Sequence, residues 1–426
     1  MDELINGFTG FANKQNVGGF HHYAEADDVQ RPAEEKAQFD PDQLALIPEA
    51  DRRWSWVEVD LGAIKHNAST VKRNIGNRHL MAIVKADAYG HGAVRVAQAA
   101  LQAGADYLGV ATVDEAIELR EAYVNAPILI IAQPPATAIP LLLAYKIEPA
   151  VYTAEFAVQY GEAADSYGLR APFHLAVNTG MNRIGVHYDE VVNFMSQISF
   201  HRALLLKGVF THFATADCPD NLDFHRQERR FVEAIEALHA AGIDPGIVHA
   251  ANSAAGIRYP EDWYDMVRLG ISLYGYHPCP ETFGSIDLRP AMSVHARITD
   301  TRFVPVGEGV SYGLHYRSAG SVKICTLPIG YADGFRRGLS YNTSVIYQGQ
   351  LLPQVGNICM DQCMFECDLR TRPNRPRLDP QIGDEVLLVG RQGNVEITVD
   401  EIAEKLGTIQ HEVTIGFAQR MSRIYV

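Results

Sequence analysis

The segment MAIVKADAYGHG, residues 81–92, ends an apolar run on an amine. Lys85 follows Met81, Ala82, Ile83 and Val84, which have the texture of a buried parallel strand. Gly90 and Gly92 then punctuate a turn into a helical pattern that begins near Val94. A lysine emerging from an apolar floor has a disfavoured cation, so its pKa falls and its amine becomes a nucleophile suited to Schiff-base chemistry. The plainer alternative is a strand-end lysine reaching for solvent.

Other groups able to do chemistry stand in similar places. NTGMNR carries Asn178 and Arg183, THFATAD carries His212, HAANSAAG carries Asn252 and Ser253, and RLGIS carries Arg268 and Gly270. A small-residue turn followed by a glycine suits a phosphate, because backbone N–H groups can approach it closely. An amine at one rim and a phosphate nest at the other suggest pyridoxal phosphate, with Arg268 near the pyridine nitrogen. Taken singly, each group has an ordinary alternative: a tight turn for HAANSAAG, a satisfied core histidine for His212, a carboxylate partner for Arg268.

These residues need a frame that brings them together. Eight short apolar runs, MAIVK, YLGVA, PILIIA, EPAVY, FHLAVN, KGVFTHF, GIVHAA and MVRLG, alternate with stretches of helical periodicity such as VDEAIELREAYV and LDFHRQERRFVEAIEALHAAG. That alternation predicts an α/β fold, a (β/α)8 TIM barrel, whose chemistry gathers at the C-terminal ends of the strands. No internal sequence repeat opposes it. Beyond about residue 288 the texture is strand-like and turn-separated, with DEIAEKLGT alone reading as a helix. The reading divides the chain into an N-terminal extension (1–53), a cofactor-binding barrel (54–288) and a mostly β C-terminal domain (289–426).

Composition narrows the partners. Acidic residues outnumber basic ones 51 to 37, and the net charge of -14 argues against nucleic acid or anionic membrane and for a small molecule or another subunit. No apolar run approaches the ~20 residues of a membrane span. The opening MDELINGFTGFANKQ lacks signal-peptide features, so the chain reads as cytoplasmic, with a periplasmic place if a leader has been removed. Six cysteines make no disulfide framework, and Cys359, Cys363 and Cys367, four residues apart, lie in a strand-like segment with no histidine at zinc spacing. No metal site is expected.

From Trp54 to Val426 the chain resembles the alanine racemase family of fold type III pyridoxal-phosphate enzymes, through VEVDLGAIKHN, AIVKADAYGHG, NTGMNRIG, GVFTHFATAD, HAANSAA, MVRLGISLYG, GEGVSYG, PIGYADG and VGNICMDQ in order. The resemblance implies that Lys85 carries the cofactor and serves as base on one face of the substrate, and that Tyr312 of a second subunit serves on the other. Two bases on opposite faces are what racemisation needs. It places Arg268 at the pyridine nitrogen, where a permanent cation keeps the nitrogen unprotonated and limits side reactions. Tyr89, Ser253, Gly270 and Ile271 match phosphate ligands, with Asn252 and His411 beside the cofactor, and His212 matches a contact of Arg268 and Tyr312. Arg183, together with Met360 of the partner subunit, matches the substrate-carboxylate contacts; Tyr331 and Asp361 match the entrance.

Three positions depart from the alanine-specific pattern. Ala176 stands where a lysine, commonly carbamylated, is usual, Asn178 replaces an aspartate, and His411 replaces a tyrosine. With two anions gone beside Arg183, a small anion such as chloride is expected near Ala176, Asn178 and Arg183. Ala176 and Asn178 also match the broad-spectrum amino acid racemase subgroup, and an imidazole for a phenol opens room beside the substrate side chain. The expectation is therefore racemisation of alanine, serine, methionine, lysine and arginine by a homodimer with shared sites. An alanine-specific racemase, a non-catalytic cofactor carrier and a decarboxylase are the alternatives; a carrier would lack the second domain and Tyr312, and fold-related decarboxylases place a carboxylate where Arg268 stands.

Overall fold

A computed structural model describes residues 52–369, 378–417 and 420–426. The expected N-terminal extension falls almost wholly outside them. Eight parallel strands follow one another around a barrel: His79–Ile83, Tyr107–Val110, Ile128–Ile130, Glu148–Val151, Ala171–Asn178, Leu204–Phe210, Ile247–His249 and Met266–Leu269. Each overlaps one of the eight apolar runs, because a strand covered on both faces reads as a continuous hydrophobic stretch. The last strand pairs with the first from Met266↔His79 to Leu269↔Ala82. The remaining seam, between the seventh and eighth strands, is bridged by Asp265 N donating to Val248 O at 3.0 Å and Arg268 N to Ala251 O at 3.0 Å.

Helices between the strands bury one stripe against this barrel. In Leu222–Ala240 the buried residues are Phe224, Gln227, Phe231, Ala234 and Leu238, spaced three or four apart. Val113–Glu121 opens on a reciprocal cap in which the Thr112 hydroxyl accepts from Glu115 N while the Glu115 carboxylate accepts from Thr112 N.

The C-terminal part is a large, mostly antiparallel sheet. Ser55–Val59, which the sequence reading gave to the barrel segment, belongs to this sheet instead. It pairs antiparallel with Met292–Arg297 and parallel with Ser422–Tyr425. Its short, largely buried run SWVEV fits either place; the pairing partner, remote in sequence, decides. Beside the expected helix Val399–Leu406 there is a second, Gln410–Gly416, which carries His411 to the barrel mouth. QVGNICMDQCMFECDL is likewise two strands, Gln350–Val355 and Cys363–Cys367, with Met360 and Asp361 in the loop between them.

Candidate active site

At the C-terminal mouth of the barrel lies a cavity of about 630 Å³, lined by Lys85, Tyr89, Ala176, Asn178, Arg183, His212, Asn252, Ser253, Arg268, Gly270, Ile271 and His411, among others. Every barrel-derived site residue read from the sequence reaches it, joined by His411 from the C-terminal part.

Lys85 does not simply end a strand. The four residues after it, Ala86 to Tyr89, all have φ of 51–52°, a left-handed turn made without glycine. Such a conformation costs roughly 1–2 kcal/mol per residue, so the surroundings must hold it. Ala86 N donates to Glu115 Oε1 at 2.7 Å, Asp87 Oδ1 accepts from Ala93 N at 2.7 Å, and Ala88 N donates to Val84 O at 2.9 Å. Gly90 then lets the chain pass the helix bearing His411, since a Cβ there would lie 2.6 Å from Thr414 O. The Lys85 amine is half-buried, and burial first, then Arg183, lowers its pKa, against a smaller opposing effect of Glu115.

In the same cavity as Lys85 the chain forms a small cradle. Gly270 N donates to Ser253 Oγ at 2.9 Å, and a Cβ on Gly270 would project to 3.1 Å from the Tyr89 hydroxyl and 3.6 Å from Ser253 Oγ. Glycine therefore keeps open a space bounded by two hydroxyls and a main chain. Burial pushes the Tyr89 phenol up to about 12, so it remains a donor. The His411 ring stands edge-on to Tyr89 at 5.4 Å, and its buried Nδ1 has no partner among the described residues. Burial and then Lys85 lower the His411 pKa, which leaves a neutral ring with hydrogen-bonding capacity to spare.

Arg268 lines the same cavity and is buried. Its Nη2 donates to Thr211 O at 2.8 Å and Ala250 O at 2.9 Å and lies 3.3 Å from His212 Nδ1; its Nη1 donates to His249 O at 3.1 Å. Burial and Arg183 push the guanidinium down to about 9, so it is still a cation at neutral pH. Burial, reinforced by Arg268, Arg183 and Lys85, presses His212 down to about 3 and keeps it neutral. An amine, a fixed cation, a hydroxyl-lined cradle and an unpartnered imidazole together fit pyridoxal phosphate.

Ala176, Asn178 and Arg183, the expected anion site, all line the cavity, and Arg183 is exposed in the single chain. Asn178 is occupied with its own loop: Oδ1 accepts from Gly180 N at 3.1 Å and Asn182 N at 3.0 Å, and Nδ2 donates to Asn182 Oδ1 at 3.0 Å. Ala176 is buried against Ala150 and Phe210.

Tyr312, Tyr331, Met360 and Asp361 do not line this cavity. They share an exposed face of the C-terminal part, with Tyr312 75% and Met360 54% exposed. Asn357 Nδ2 donates to Tyr312 O at 2.7 Å, Tyr331 N donates to Cys359 O at 3.0 Å, and Arg420 joins Asp333 and Asp361 at 2.8 and 2.7 Å. Sequence reasoning overlooked Glu115, which clamps the turn after Lys85, and Phe210, whose ring lies 5.6 Å from the Arg268 guanidinium. The Thr112–Glu115 capping pattern marks a helix start but gives no sign of the Ala86 contact.

Residues 59–278 match the family model for the alanine racemase N-terminal domain, and residues 291–425 that for the C-terminal domain. An alanine racemase of Synechocystis sp. is 41% identical over 378 residues, spanning 88% of this chain and 100% of its own. The solved alanine racemase of Bacillus anthracis with bound L-Ala-P superposes with a TM-score of 0.81 at 36% identity, covering 88% of this chain and 95% of that one. A histidine racemase of Leuconostoc mesenteroides superposes with a TM-score of 0.79 at 30% identity, covering 88% and 98%. With both domains matched in order around one cavity, the chain belongs to the alanine racemase family of pyridoxal-phosphate-dependent isomerases.

Proposed function

We propose that the protein interconverts L- and D-alanine as a homodimer in which each cavity is completed by its partner. The observation that carries this is the division of the site: Lys85 stands over Arg268 and the Tyr89–Ser253–Gly270 cradle in one cavity, while Tyr312 is exposed elsewhere. The chemistry supplied by bound pyridoxal phosphate is withdrawal of electrons from the substrate's α-carbon, which makes its proton removable. Lys85 Nζ would hold or move that proton on one face, and the Tyr312 hydroxyl of the partner subunit on the other. Tyr89 and Ser253 would hold the phosphate, Arg268 would face the ring nitrogen and keep it unprotonated, and Arg183 would orient the substrate carboxylate. Met360 of the partner subunit would join Arg183 at that carboxylate, and Tyr331 and Asp361 of the partner subunit would close the entrance.

Alanine is preferred over the wide range expected from the sequence because relatives at about 40% identity over nearly the whole chain carry the name alanine racemase. A second reading, racemisation of larger amino acids, is favoured by Ala176, Asn178 and His411 lining the cavity. Chiral chromatography after separate incubation with L-alanine, L-serine, L-methionine, L-lysine, L-arginine and L-histidine decides: D-alanine alone supports the first, several D-products the second, and no D-product removes both. Sharing of the site is tested by mixing the inactive variants Lys85→Ala and Tyr312→Phe. A random exchange of subunits restores about a quarter of wild-type activity if each site draws on two chains, and nothing if both residues must come from one.

A further inference from the structure

Among the described residues, Arg268 is a buried cation held by neutral groups. Its partners are the carbonyls of Thr211, His249 and Ala250 and the Nδ1 atoms of His212 and His249. A charge in such a place is costly unless it is compensated, and the compensation lies further off. Arg268 Nη1 is 3.1 Å from His249 Nδ1, His249 Nε2 is 2.9 Å from His174 Nδ1, and His174 Nε2 is 3.1 Å from Glu148 Oε2. All four side chains are buried.

The direction of this row follows from its ends. A guanidinium only donates, so His249 Nδ1 accepts and its proton sits on Nε2. That proton is given to His174 Nδ1, which puts the proton of His174 on Nε2, facing the Glu148 carboxylate. A second proton on either ring would set one N–H against another, and burial with Arg268 in any case holds His249 well below the usual histidine range. The row crosses the barrel interior from the start of Glu148–Val151, through the middle of Ala171–Asn178 and the end of Ile247–His249, to Met266–Leu269.

Its surroundings are shaped to fit. A Cβ on Gly208 would lie 2.5 Å from His174 Nδ1, so glycine in the neighbouring strand makes room for the ring. Phe210 lies nearly flat on His249, at 5.1 Å and 15°, with the Arg268 guanidinium beside the same ring.

We propose that Glu148, His174 and His249 are positioning residues: through a one-way row of hydrogen bonds they supply Arg268 with a remote counter-charge and fix the roll of its guanidinium, turning Nε toward the cofactor's ring nitrogen. This rests on the placement of Arg268 proposed above. Two measurements on the cofactor-loaded protein test it. Long-range ¹H–¹⁵N spectra of histidine-labelled protein, assigned with His174→Phe and His249→Phe, are expected to show both rings protonated on Nε2 alone. Glu148→Gln keeps an acceptor of the same shape and removes the charge. It is expected to retain the wild-type circular dichroism, to shift the absorption maximum of the bound cofactor, and to lower kcat roughly tenfold with KM changed less than about twofold.

A proton on Nδ1 of either ring, or wild-type cofactor absorption and kcat in Glu148→Gln, overturns the proposal. Should Glu148→Gln unfold, His249→Phe provides the same spectral comparison. A protein with the expected tautomers and spectral shift that racemises no amino acid would instead refute the proposed function and leave the row standing.

Discussion

The two halves of the site are built in opposite ways. At the barrel mouth Lys85, Arg268 and the Gly270 cradle are held by contacts within the protein: a clamped left-handed turn, a ring of carbonyl acceptors and a serine bridge. On the C-terminal part, Tyr312 has its main chain anchored through Asn357 and its side chain in solvent. Preorganisation is concentrated where the cofactor would sit, and the group proposed for the second proton is a projecting side chain. A side chain presented this way can act only when another surface receives it.

Substitutions at the two halves should therefore differ in kind. Lys85→Ala is expected to have the largest effect, a loss of activity of at least ~10⁴-fold, because it removes both the base and the cofactor's anchor. Cofactor absorbance after dialysis and chiral product analysis would show it, and a variant keeping a tenth of wild-type activity would remove Lys85 from the chemistry. Tyr312→Phe should lower racemisation ~10²–10⁴-fold yet leave cofactor absorbance unchanged, since Tyr312 is no part of the preformed half. Loss of the cofactor from that variant would erase the distinction between the halves.

Gly270→Ala is a milder attack on the preformed half. The added Cβ, 3.1 Å from the Tyr89 hydroxyl, should weaken pyridoxal phosphate binding roughly tenfold, the scale of a single lost hydrogen bond to a charged group, as read by equilibrium titration. Unchanged affinity would mean that the cradle is elsewhere.

The smallest expected effect concerns acid. The folded pKa of His212, about 3, lies below the unfolded value of about 6.5, so between these values the unfolded chain binds more protons. Stability from the neutral buried ring is fully present above about pH 6.5 and declines as the pH falls toward 3. Chemical denaturation at a series of pH values should show the wild type losing more stability across that window than His212→Gln. Equal losses would mean that the ring is not held neutral.

Much of the barrel side could be read in advance. Continuous apolar runs announce strands buried on both faces, and Lys85, His212, Ser253 and Arg268 are legible because each stands where such a run stops. The turn at Ala86–Tyr89 was not legible: ADAY has no glycine and only Asp87 among residues that tolerate positive φ, and the conformation is held by contacts with Glu115, Ala93 and Val84. Nor could the row behind Arg268 be read, because Glu148, His174 and His249 each interrupt a separate apolar run, in EPAVY, FHLAVN and GIVHAA, and nothing local says that these residues meet.

Sequence alone settled the succession of the barrel strands and helices and the residue types at the strand ends, since periodicity and turn chemistry are properties of the chain in order. Tertiary structure decided the rest. It put Ser55–Val59 into the C-terminal sheet, folded Gln410–Gly416 so that His411 faces Tyr89, and joined Glu148 to Arg268 across the barrel. These are contacts between segments up to several hundred residues apart, and their energies depend on distance and direction in space, which the linear order of residues does not contain.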